Sequence, residues 1–505
     1  MPRIILVTGA AAGIGLATAR TFAANGDTVV LADRDPAAAH RAALALGAPH
    51  HALEMDVSDE RMVRDGVAAA LGQHSRIDVL ANNAGIIDAS GTPAMDVPVT
   101  TLERILRVNL TGSYLVAREV GTAMARQSGG AIVNLSSLIA WLTIPGRTPY
   151  AMSKSALLGF TRALACEWAS AGVRVNAVLP GYVATDIVRS LVEQGKVDPA
   201  VSVSRVPLGR MAEPEEIART VLWAAGNGYV TGASIVVDGG YAAYGGCEAV
   251  ASRAARSHRL VGAPVVVISG GARGIGAATA DRFGADGAKV IVLDRQPSEA
   301  HEDFIVDITD GDAVERVVGR IAAKHGRIDV LVNNAAIADD FLPTVEQQLS
   351  AFERGLAINL VAPFQLSQAV GRVMAGHGGG AIVNLSSIAA RGGLPRRNSY
   401  CAAKAGIEAM TRSLACEWAS SGIRVNGVAP GYVATPGVLA LEAEGKQSLA
   451  AVRRRIPLGR LGDPAEIADA IAFLASPAAS YVTGSIVAVD GGWSAFGDAG
   501  DASKI

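Results

Sequence analysis

Short apolar runs rich in valine and isoleucine alternate with longer alanine-rich stretches along the whole chain. The runs do not alternate apolar with polar residues, so we expect both faces of each predicted strand to be covered. Strands of this kind, separated by helices, are typical of a parallel sheet wrapped on both sides. In the first half the runs are Ile4–Val7, Thr28–Ala32, Val79–Ala81, Ala131–Leu135, Val173–Leu179 and Ser234–Val237. The pattern predicts a doubly wound α/β fold.

The chain repeats itself once. The segment GGAIVNLSS occurs at 129–137 and again at 379–387, an offset of 250 residues. A repeat of this length corresponds to a whole domain and is too long for a solenoid unit. We therefore predict two Rossmann-like doubly wound parallel-sheet domains in tandem, at 1–244 and 263–505, joined by a small, basic linker at 245–262.

The two halves differ in length between two pairs of aspartates. Asp33 and Asp56 lie 23 residues apart, whereas Asp294 and Asp307 lie only 13 apart. We expect the second half to lack most of one helix in this interval.

Composition excludes several function classes. The 505 residues carry 45 Lys+Arg and 47 Asp+Glu, a net charge of −2, which leaves no basic surface for nucleic acid. No stretch approaches the ~18 apolar residues of a membrane span, and Met1 is not followed by a signal-peptide pattern. Four cysteines without a C-x-x-C pair argue against disulfides and a metal site. We expect a cytoplasmic protein with no nucleic-acid or membrane partner.

Glycine-rich segments follow the first strand of each half and open the next helix. Such a loop lets the backbone approach a pyrophosphate, and the helix N-terminus supplies free N–H groups. The context in both halves predicts dinucleotide binding. The residues concerned are Gly9, Gly13, Ile14 and Gly15, and in the second half Gly270, Arg273, Gly274, Ile275 and Gly276.

Acidic residues follow the second and third strands. Asp33 and Asp294 can accept hydrogen bonds from the adenosine ribose and would repel a 2′-phosphate, which favours NAD over NADP. Asp56 and Asp307 end the third strand, where an adenine amino group can donate to them. Three arginines able to meet a phosphate keep NADP as the less favoured alternative: Arg34, Arg273 and Arg295.

A tyrosine and a lysine stand four residues apart in each half, as Tyr150 with Lys154 and Tyr400 with Lys404. On a helix this spacing places both side chains on one face. A serine lies 13 residues upstream of each tyrosine and an asparagine 41 upstream: Ser137, Ser387, Asn109 and Asn359.

In this order, the glycine motif, the NNAG of Asn82–Gly85, the asparagine, the serine, YxxxK and PG-x-x-x-T resemble the short-chain dehydrogenase/reductase family. The resemblance covers about 2–244 and 261–497. It implies that the tyrosine exchanges a proton with an alcohol or ketone, aided by the lysine, because a phenol ordinarily titrates near pH 10. It also implies that the serine binds the substrate oxygen and that the asparagine holds a water.

The same resemblance implies further cofactor contacts. The lysines hold the nicotinamide ribose, and Thr185 and Thr435 bind the nicotinamide carboxamide. The second half departs from the pattern at Ser269, in place of threonine, and at Ala336, in place of the last glycine of NNAG. The other implied contacts are Val57, Asn82, Ala84, Gly85, Pro180, Gly181 and Val183, with Ile308, Asn333, Ala335, Pro430, Gly431 and Val433 in the second half.

The segment after each serine borders the substrate in this family. Leu138–Leu142 is apolar, whereas Ile388–Gly393 contains Arg391, so we predict an apolar pocket in the first half and a more polar, anion-tolerant one in the second. In the alternative interpretation, Trp141 fills the core and Arg391 is solvated.

Members of the family pair through equivalent helices, so we expect an intrachain pseudo-dimer and a homodimer of chains. The candidate helices are Asn109–Met124 and Tyr150–Ser170, with Asn359–Met374 and Tyr400–Ser420.

The sequence favours an NAD-dependent oxidoreductase that interconverts a secondary alcohol and a ketone, with a small-molecule substrate and two active sites per chain. Two alternatives remain: an NADPH-dependent 3-oxoacyl reductase, and a dinucleotide-binding sensor or scaffold with one or both halves inactive.

Overall fold

The computed structural model describes residues 2–87, 92, 96–142, 144, 146–194, 198–244, 263–298, 300–342, 346–392, 394, 396–445, 448–497 and 500–501. The predicted linker at 245–262 lies outside the described residues. Within them, no helix is both long enough and apolar enough to cross a bilayer.

Strands and helices alternate through the first half. Its strands are β1 (Ile4–Thr8), β2 (Thr28–Asp33), β3 (His51–Glu54), β4 (Val79–Asn82), β5 (Gly130–Leu135), β6 (Val173–Pro180) and β7 (Ser234–Val237). Its helices are α1 (Gly13–Ala24), α2 (Pro36–Leu46), α3 (Glu60–His74), α4 (Val99–Leu106), α5 (Ser113–Arg126), α6 (Thr148–Glu167), α7 (Asp186–Glu193), α8 (Pro199–Val203) and α9 (Pro214–Gly226).

The second half repeats this order. Its strands are β8 (Val265–Ser269), β9 (Lys289–Asp294), β10 (Glu302–Ile305), β11 (Val330–Asn333), β12 (Gly380–Leu385), β13 (Ile423–Pro430) and β14 (Ile486–Val489). Its helices are α10 (Gly274–Ala285), α11 (Gly311–His325), α12 (Leu349–Leu356), α13 (Ala362–Gly376), α14 (Asn398–Trp418), α15 (Pro436–Ala443), α16 (Leu449–Arg455) and α17 (Pro464–Ala475). The described part of 295–301 contains no helix, so the counterpart of α2 is absent, as the shorter interval predicts.

Each half forms a seven-stranded sheet, with the order β3-β2-β1-β4-β5-β6-β7 in the first and β10-β9-β8-β11-β12-β13-β14 in the second. The strand pairs are parallel, for example β1 with β2 and β1 with β4. The strand order reverses between β1 and β4, which opens a crevice at their carboxyl ends. The prediction of two tandem Rossmann-like domains is confirmed.

The apolar runs are buried on both sheet faces, which explains why they lack a polar alternation. Ile5 packs with Phe22 of α1 on one face. Leu6 packs with Val67 of α3 and Val116 of α5 on the other. The sheet therefore holds its carboxyl ends rigidly between two helical layers.

The two halves contact each other through α9, α17 and the last strands. Trp223 of α9 stacks on Phe473 of α17 with ring centroids 4.3 Å apart. Tyr481 is fully buried and donates its hydroxyl to the Arg210 carbonyl at 2.7 Å. Tyr229 makes the reciprocal bond to the second half, so the contact is nearly symmetric.

The structure corrects the prediction of which helices form the contact between the two halves. Tyr114 on α5, Met152 on α6 and Phe364 on α13 remain exposed and are not covered by the other half. Trp223 on α9 and Phe473 on α17 bury their stacked rings at this contact instead.

Candidate active site

The glycine loop of the first half lies at the opening of the crevice. Gly13 has φ +53°, and a Cβ there would lie 3.5 Å from the Thr185 methyl group. A Cβ on Gly15 would overlap the carbonyl oxygen of Gly9. The N-cap residue of α1, Ala12, makes no side-chain capping bond, so the helix N–H groups remain available to a phosphate.

The second half repeats this arrangement. Gly274 has φ +60° and faces Thr435, and a Cβ on Gly276 would overlap the Gly270 carbonyl oxygen. Helix α10 also starts without a side-chain cap, after Arg273. Both loops therefore provide a backbone cradle that fits a dinucleotide pyrophosphate.

The second asparagine of each NN motif fastens the glycine loop, a role that the sequence analysis missed. The Asn83 amide donates to the carbonyl oxygens of Thr8 and Gly9 at 3.0 and 3.1 Å. The Asn334 side-chain amide likewise donates to the carbonyl oxygens of Ser269 and Gly270. The Ser269 hydroxyl accepts the Asn334 backbone N–H at 3.1 Å, so serine preserves the bond that threonine makes in the first half.

The first asparagine of each motif joins neighbouring elements through its side chain. Asn82 is 2% exposed, and its amide donates to the Ser113 carbonyl at 2.9 Å and to Asn134 at 3.1 Å. Asn333 makes the equivalent bond to Asn384 at 2.8 Å. These side chains face the interior and join neighbouring elements, and the predicted cofactor contacts of Asn82 and Asn333 stay predictions.

The predicted ribose-binding carboxylates stand beside the glycine loops. Asp33 accepts the Ala11 backbone N–H at 3.0 Å, and Asp294 accepts that of Ala272 at 3.1 Å. Both are half-buried, which leaves a carboxylate face available at the strand end. The three arginines that favour NADP are exposed and form no ion pair within the described residues: Arg34, Arg273 and Arg295.

The predicted adenine contacts lie just beyond the third strand. Hydrogen bonds from Ser58 lower the pKa of Asp56. Hydrogen bonds from the backbone and side chain of Thr309 lower the pKa of Asp307. Both carboxylates are therefore charged acceptors at neutral pH. The other predicted contacts follow strand ends around the same crevice: Val57, Ala84, Gly85, Pro180, Gly181 and Val183, with Ile308, Ala335, Pro430, Gly431 and Val433.

Helix α6 brings the predicted base and cation of the first half together. Lys154 is buried, lies 5.8 Å from the centroid of the Tyr150 ring, and donates to the Leu135 carbonyl at 2.6 Å. The Ser137 hydroxyl lies close enough to the Tyr150 phenol to lower its pKa against the effect of burial. A serine, a phenol and an ammonium therefore converge at the carboxyl end of β5.

Asn109 reaches this group from a π-helical turn, Arg107–Gly112, a local irregularity that is frequent at functional sites. The side-chain amide oxygen of Asn109 accepts the Ile86 backbone N–H at 2.8 Å. A Cβ on Gly85 would lie 3.3 Å from this oxygen and 3.5 Å from the Lys154 ammonium. Asn109 and Lys154 thus border the same small space beside Gly85.

The second half reproduces the constellation. Lys404 lies 5.6 Å from the Tyr400 ring centroid and donates to the Leu385 carbonyl at 2.6 Å. The Ser387 hydroxyl lies close enough to the Tyr400 phenol to lower its pKa, and Asn359 lies in a second π-helical turn. All four predicted catalytic types are therefore brought together twice.

Burial dominates the electrostatics of both centres. It raises the pKa of Tyr150, where Ser137 opposes the shift. It also raises the pKa of Tyr400, where the charge of Arg397 and then Ser387 oppose the shift. Burial also lowers the pKa of Lys154 and of Lys404 to about 8. The phenols hold their protons and the ammonium groups exchange theirs near neutral pH, which suits proton delivery to and from a substrate oxygen.

The segments that follow the two catalytic serines differ in their large side chains, and the predicted difference between the two pockets stays a prediction. Trp141 is 51% exposed, so the interpretation of this residue as core filler is wrong. Leu142 and Ile144 are exposed beside it. In the second half, Arg391 pairs with the buried Glu408 at 3.2 Å, so its charge is already partly compensated.

Comparison with known proteins adds three findings. A family model described as enoyl-(acyl carrier protein) reductase matches residues 9–242 and 270–494. An uncharacterized short-chain type dehydrogenase/reductase of Sinorhizobium fredii is 40% identical over 100% of this chain and 94% of its own length. Two shorter relatives align with part of the chain.

The first of these is a cis-4-hydroxycyclohexanecarboxylate dehydrogenase of Sinomonas cyclohexanicum. It is 44% identical over 46% of this chain and 96% of its own length. The second is a 3-oxoacyl-[acyl-carrier-protein] reductase of Thermotoga maritima. It is 40% identical over 45% of this chain and 96% of its own length.

Proposed function

Since the chain belongs to the short-chain dehydrogenase/reductase family and is an oxidoreductase acting on CH–OH groups, we propose that it interconverts a secondary alcohol and a ketone with NAD at two active sites. The observation that carries this proposal is the duplicated convergence of serine, tyrosine, lysine and asparagine. A pure dinucleotide binder has no need of this constellation, and two intact copies argue against a sensor or scaffold.

Each proposed role follows from the contacts of the side chain. The Ser137 hydroxyl binds the substrate oxygen beside Tyr150, which takes the hydroxyl proton during oxidation and returns it during reduction. Oxidation requires the phenolate, which burial disfavours and the Lys154 ammonium favours electrostatically. Asn109 and Lys154 border the space beside Gly85, where a water would relay the proton. A bound nicotinamide would supply the hydride chemistry. Tyr400, Lys404, Ser387 and Asn359 take these roles in the second half.

The preference for NAD rests on Asp33 and Asp294. Each carboxylate stands at the end of the second strand and is fixed by a backbone N–H of its glycine loop. In this position a carboxylate accepts ribose hydroxyl protons and repels a 2′-phosphate.

A second candidate is an NADPH-dependent 3-oxoacyl reductase. The Thermotoga maritima relative is named as a 3-oxoacyl-[acyl-carrier-protein] reductase, without a stated cofactor. Asp33 and Asp294 disfavour it, because each carboxylate would repel a 2′-phosphate. Cofactor choice therefore separates the two candidates.

The proposal is tested by calorimetric titration of the intact chain, Tyr150→Phe and Tyr400→Phe with NAD and with NADP, followed by oxidation of a panel of secondary alcohols. We expect two NAD sites in all three proteins and a different part of the activity lost in each variant. One site per chain, or loss of all activity in one variant, would show that the other half is structural or regulatory. Tighter binding of NADP would favour the reductase candidate.

We also propose that two chains form a homodimer through the faces of α5, α6, α13 and α14 that the intrachain contact leaves free. Tyr114, Met152 and Phe364 expose 44%, 46% and 41% of their surface on these helices. Light scattering should give twice the chain mass of 51.6 kDa. A single-chain mass would exclude this assembly.

A further inference from the structure

An arginine lies against the catalytic tyrosine of the second half and is used by none of the roles above. The Arg397 guanidinium carbon lies 4.5 Å from the centroid of the Tyr400 ring and 4.8 Å from that of Phe341. Its backbone caps α14, the helix that carries Tyr400 and Lys404. The guanidinium is therefore fixed between two aromatic rings beside the reacting group.

This guanidinium has no anionic partner among the described residues. Its Nε is buried and makes no hydrogen bond there. The other arginine of the substrate side, Arg391, has Glu408 as a partner and is half exposed. A half-buried guanidinium whose Nε lacks a hydrogen bond costs free energy, whereas an arriving carboxylate would gain two parallel hydrogen bonds from the planar group.

The nearby carboxylate of Asp339 is already occupied. It accepts the Tyr400 backbone N–H at 3.2 Å and the hydroxyl of Ser399. The other charged group near the phenol is the Lys404 ammonium, which donates a hydrogen bond to the Leu385 carbonyl oxygen. Arg397 is thus the cation at this centre that remains available to a substrate.

The backbone around the arginine is strained. Phe341 and Arg396 have φ of +60° and +65°, the left-handed region that side chains other than glycine rarely adopt. Such strain persists where the surroundings enforce it and is common at ligand-binding sites. Here it holds the Phe341 ring over the guanidinium.

We propose that Arg397 binds a carboxylate on the substrate of the second site, which makes that substrate a hydroxy acid whose secondary alcohol lies several bonds from the acid group. The inference rests on the proposed function, because Tyr400 must receive the hydroxyl proton of the same molecule. The carboxylate itself takes no part in bond breaking. Arg147 has the same position in the first half, with nearly the same φ of −122° against −125°.

The test uses Tyr150→Phe, in which the second site alone turns over, with and without Arg397→Met. The paired probes are cis-4-hydroxycyclohexanecarboxylate and its primary amide, with NAD. We expect Arg397→Met to lower the carboxylate-to-amide ratio of kcat/KM at least tenfold, mainly through KM of the acid. Arg396→Asn removes a neighbouring exposed charge, keeps the left-handed backbone accessible, and should change the ratio less than twofold.

An equal loss with acid and amide would overturn the proposal, because it would show that Arg397 acts through Tyr400 rather than on the substrate. An equal loss in Arg396→Asn would also overturn it, because general positive charge would then explain the effect. Turnover of the amide with an unchanged ratio would leave the proposed function intact while removing Arg397 as the anchor.

Binding provides a readout that does not require turnover. Cyclohexanecarboxylate and cyclohexanecarboxamide are titrated calorimetrically into the NADH-loaded proteins. The acid should bind at least tenfold more tightly than the amide, and Arg397→Met should abolish this difference at an unchanged thermal midpoint. Equal binding of acid and amide before the substitution would overturn the proposal.

Discussion

One residue position distinguishes the two catalytic centres. In the first half Gly85 leaves a gap between the Asn109 oxygen and the Lys154 ammonium, 3.3 and 3.5 Å from where a Cβ would lie. In the second half Ala336 places a methyl group at this position. A methyl group so close to both polar atoms would hinder a water that passes protons between them.

We therefore expect Gly85→Ala to slow the first site and Ala336→Gly to speed the second. Gly85 does not have a left-handed backbone, so alanine is tolerated conformationally. Loss of one hydrogen-bonded contact is worth about 1 kcal/mol, or about fivefold in kcat. The measurement is kcat for one alcohol in the Tyr400→Phe and Tyr150→Phe backgrounds, respectively. Unchanged rates in both would show that no proton passes this space.

At the scale of elements, the apolar runs predicted every strand of the first half except β3 (His51–Glu54). β3 and its counterpart β10 (Glu302–Ile305) contain polar residues because each is an only partly buried strand at one edge of its sheet, whereas β7 (Ser234–Val237), at the opposite edge, is apolar and largely buried. The π-helical turn at Asn109 has no sequence pattern that distinguishes it from an ordinary helix. The site residues were predicted by their spacing, whereas the inward direction of Asn82 depends on packing that spacing does not encode.

The edge strands also make the halves respond differently to acid. His51 of β3 stacks on His74 of α3, with ring centroids 4.9 Å apart. Burial, and then the neighbouring His74, lower the pKa of His51. In the second half Glu302 meets His325 at 3.2 Å. Burial opposes the shift, but bonds from Lys324 and His325 hold the pKa of Glu302 below its usual range.

The lowered pKa of His51 fixes the sign of the pH dependence. The unfolded state binds a proton near pH 6.5 more readily than the folded state, so stability falls as the pH drops through this range. Each unit of depression is worth about 1.4 kcal/mol. We expect His51→Glu, which copies the second half, to flatten the dependence of the thermal midpoint between about pH 7.5 and 5.5. An unchanged slope of the thermal midpoint against pH would show that other groups cause this dependence.

At the scale of the whole molecule, the contact between the two similar domains lies within a single chain. Tyr229 of the first half donates to the Arg460 carbonyl at 3.2 Å and lies 3.4 Å from that of Tyr432. Tyr432 directly precedes Val433 in the predicted cofactor segment of the second half. In return, the Tyr481 hydroxyl donates to the carbonyl oxygen of Arg210. Arg210 lies two residues before Ala212, which pairs with Val183 of the first half's predicted cofactor segment. Each half therefore supports the cofactor segment of the other.

This exchange predicts crossed effects of two matched substitutions. Tyr229→Phe removes one buried hydrogen bond, worth about 1 kcal/mol, from the second half, and should weaken NAD binding there about fivefold. Tyr481→Phe should weaken it at the first site. Both keep the ring that fills the interface, so the contact itself should persist. The KM for NAD, measured in the Tyr150→Phe and Tyr400→Phe backgrounds, separates the sites. If each substitution instead affected the site of its own half, the crossed support would be excluded, because neither tyrosine bonds to its own cofactor segment.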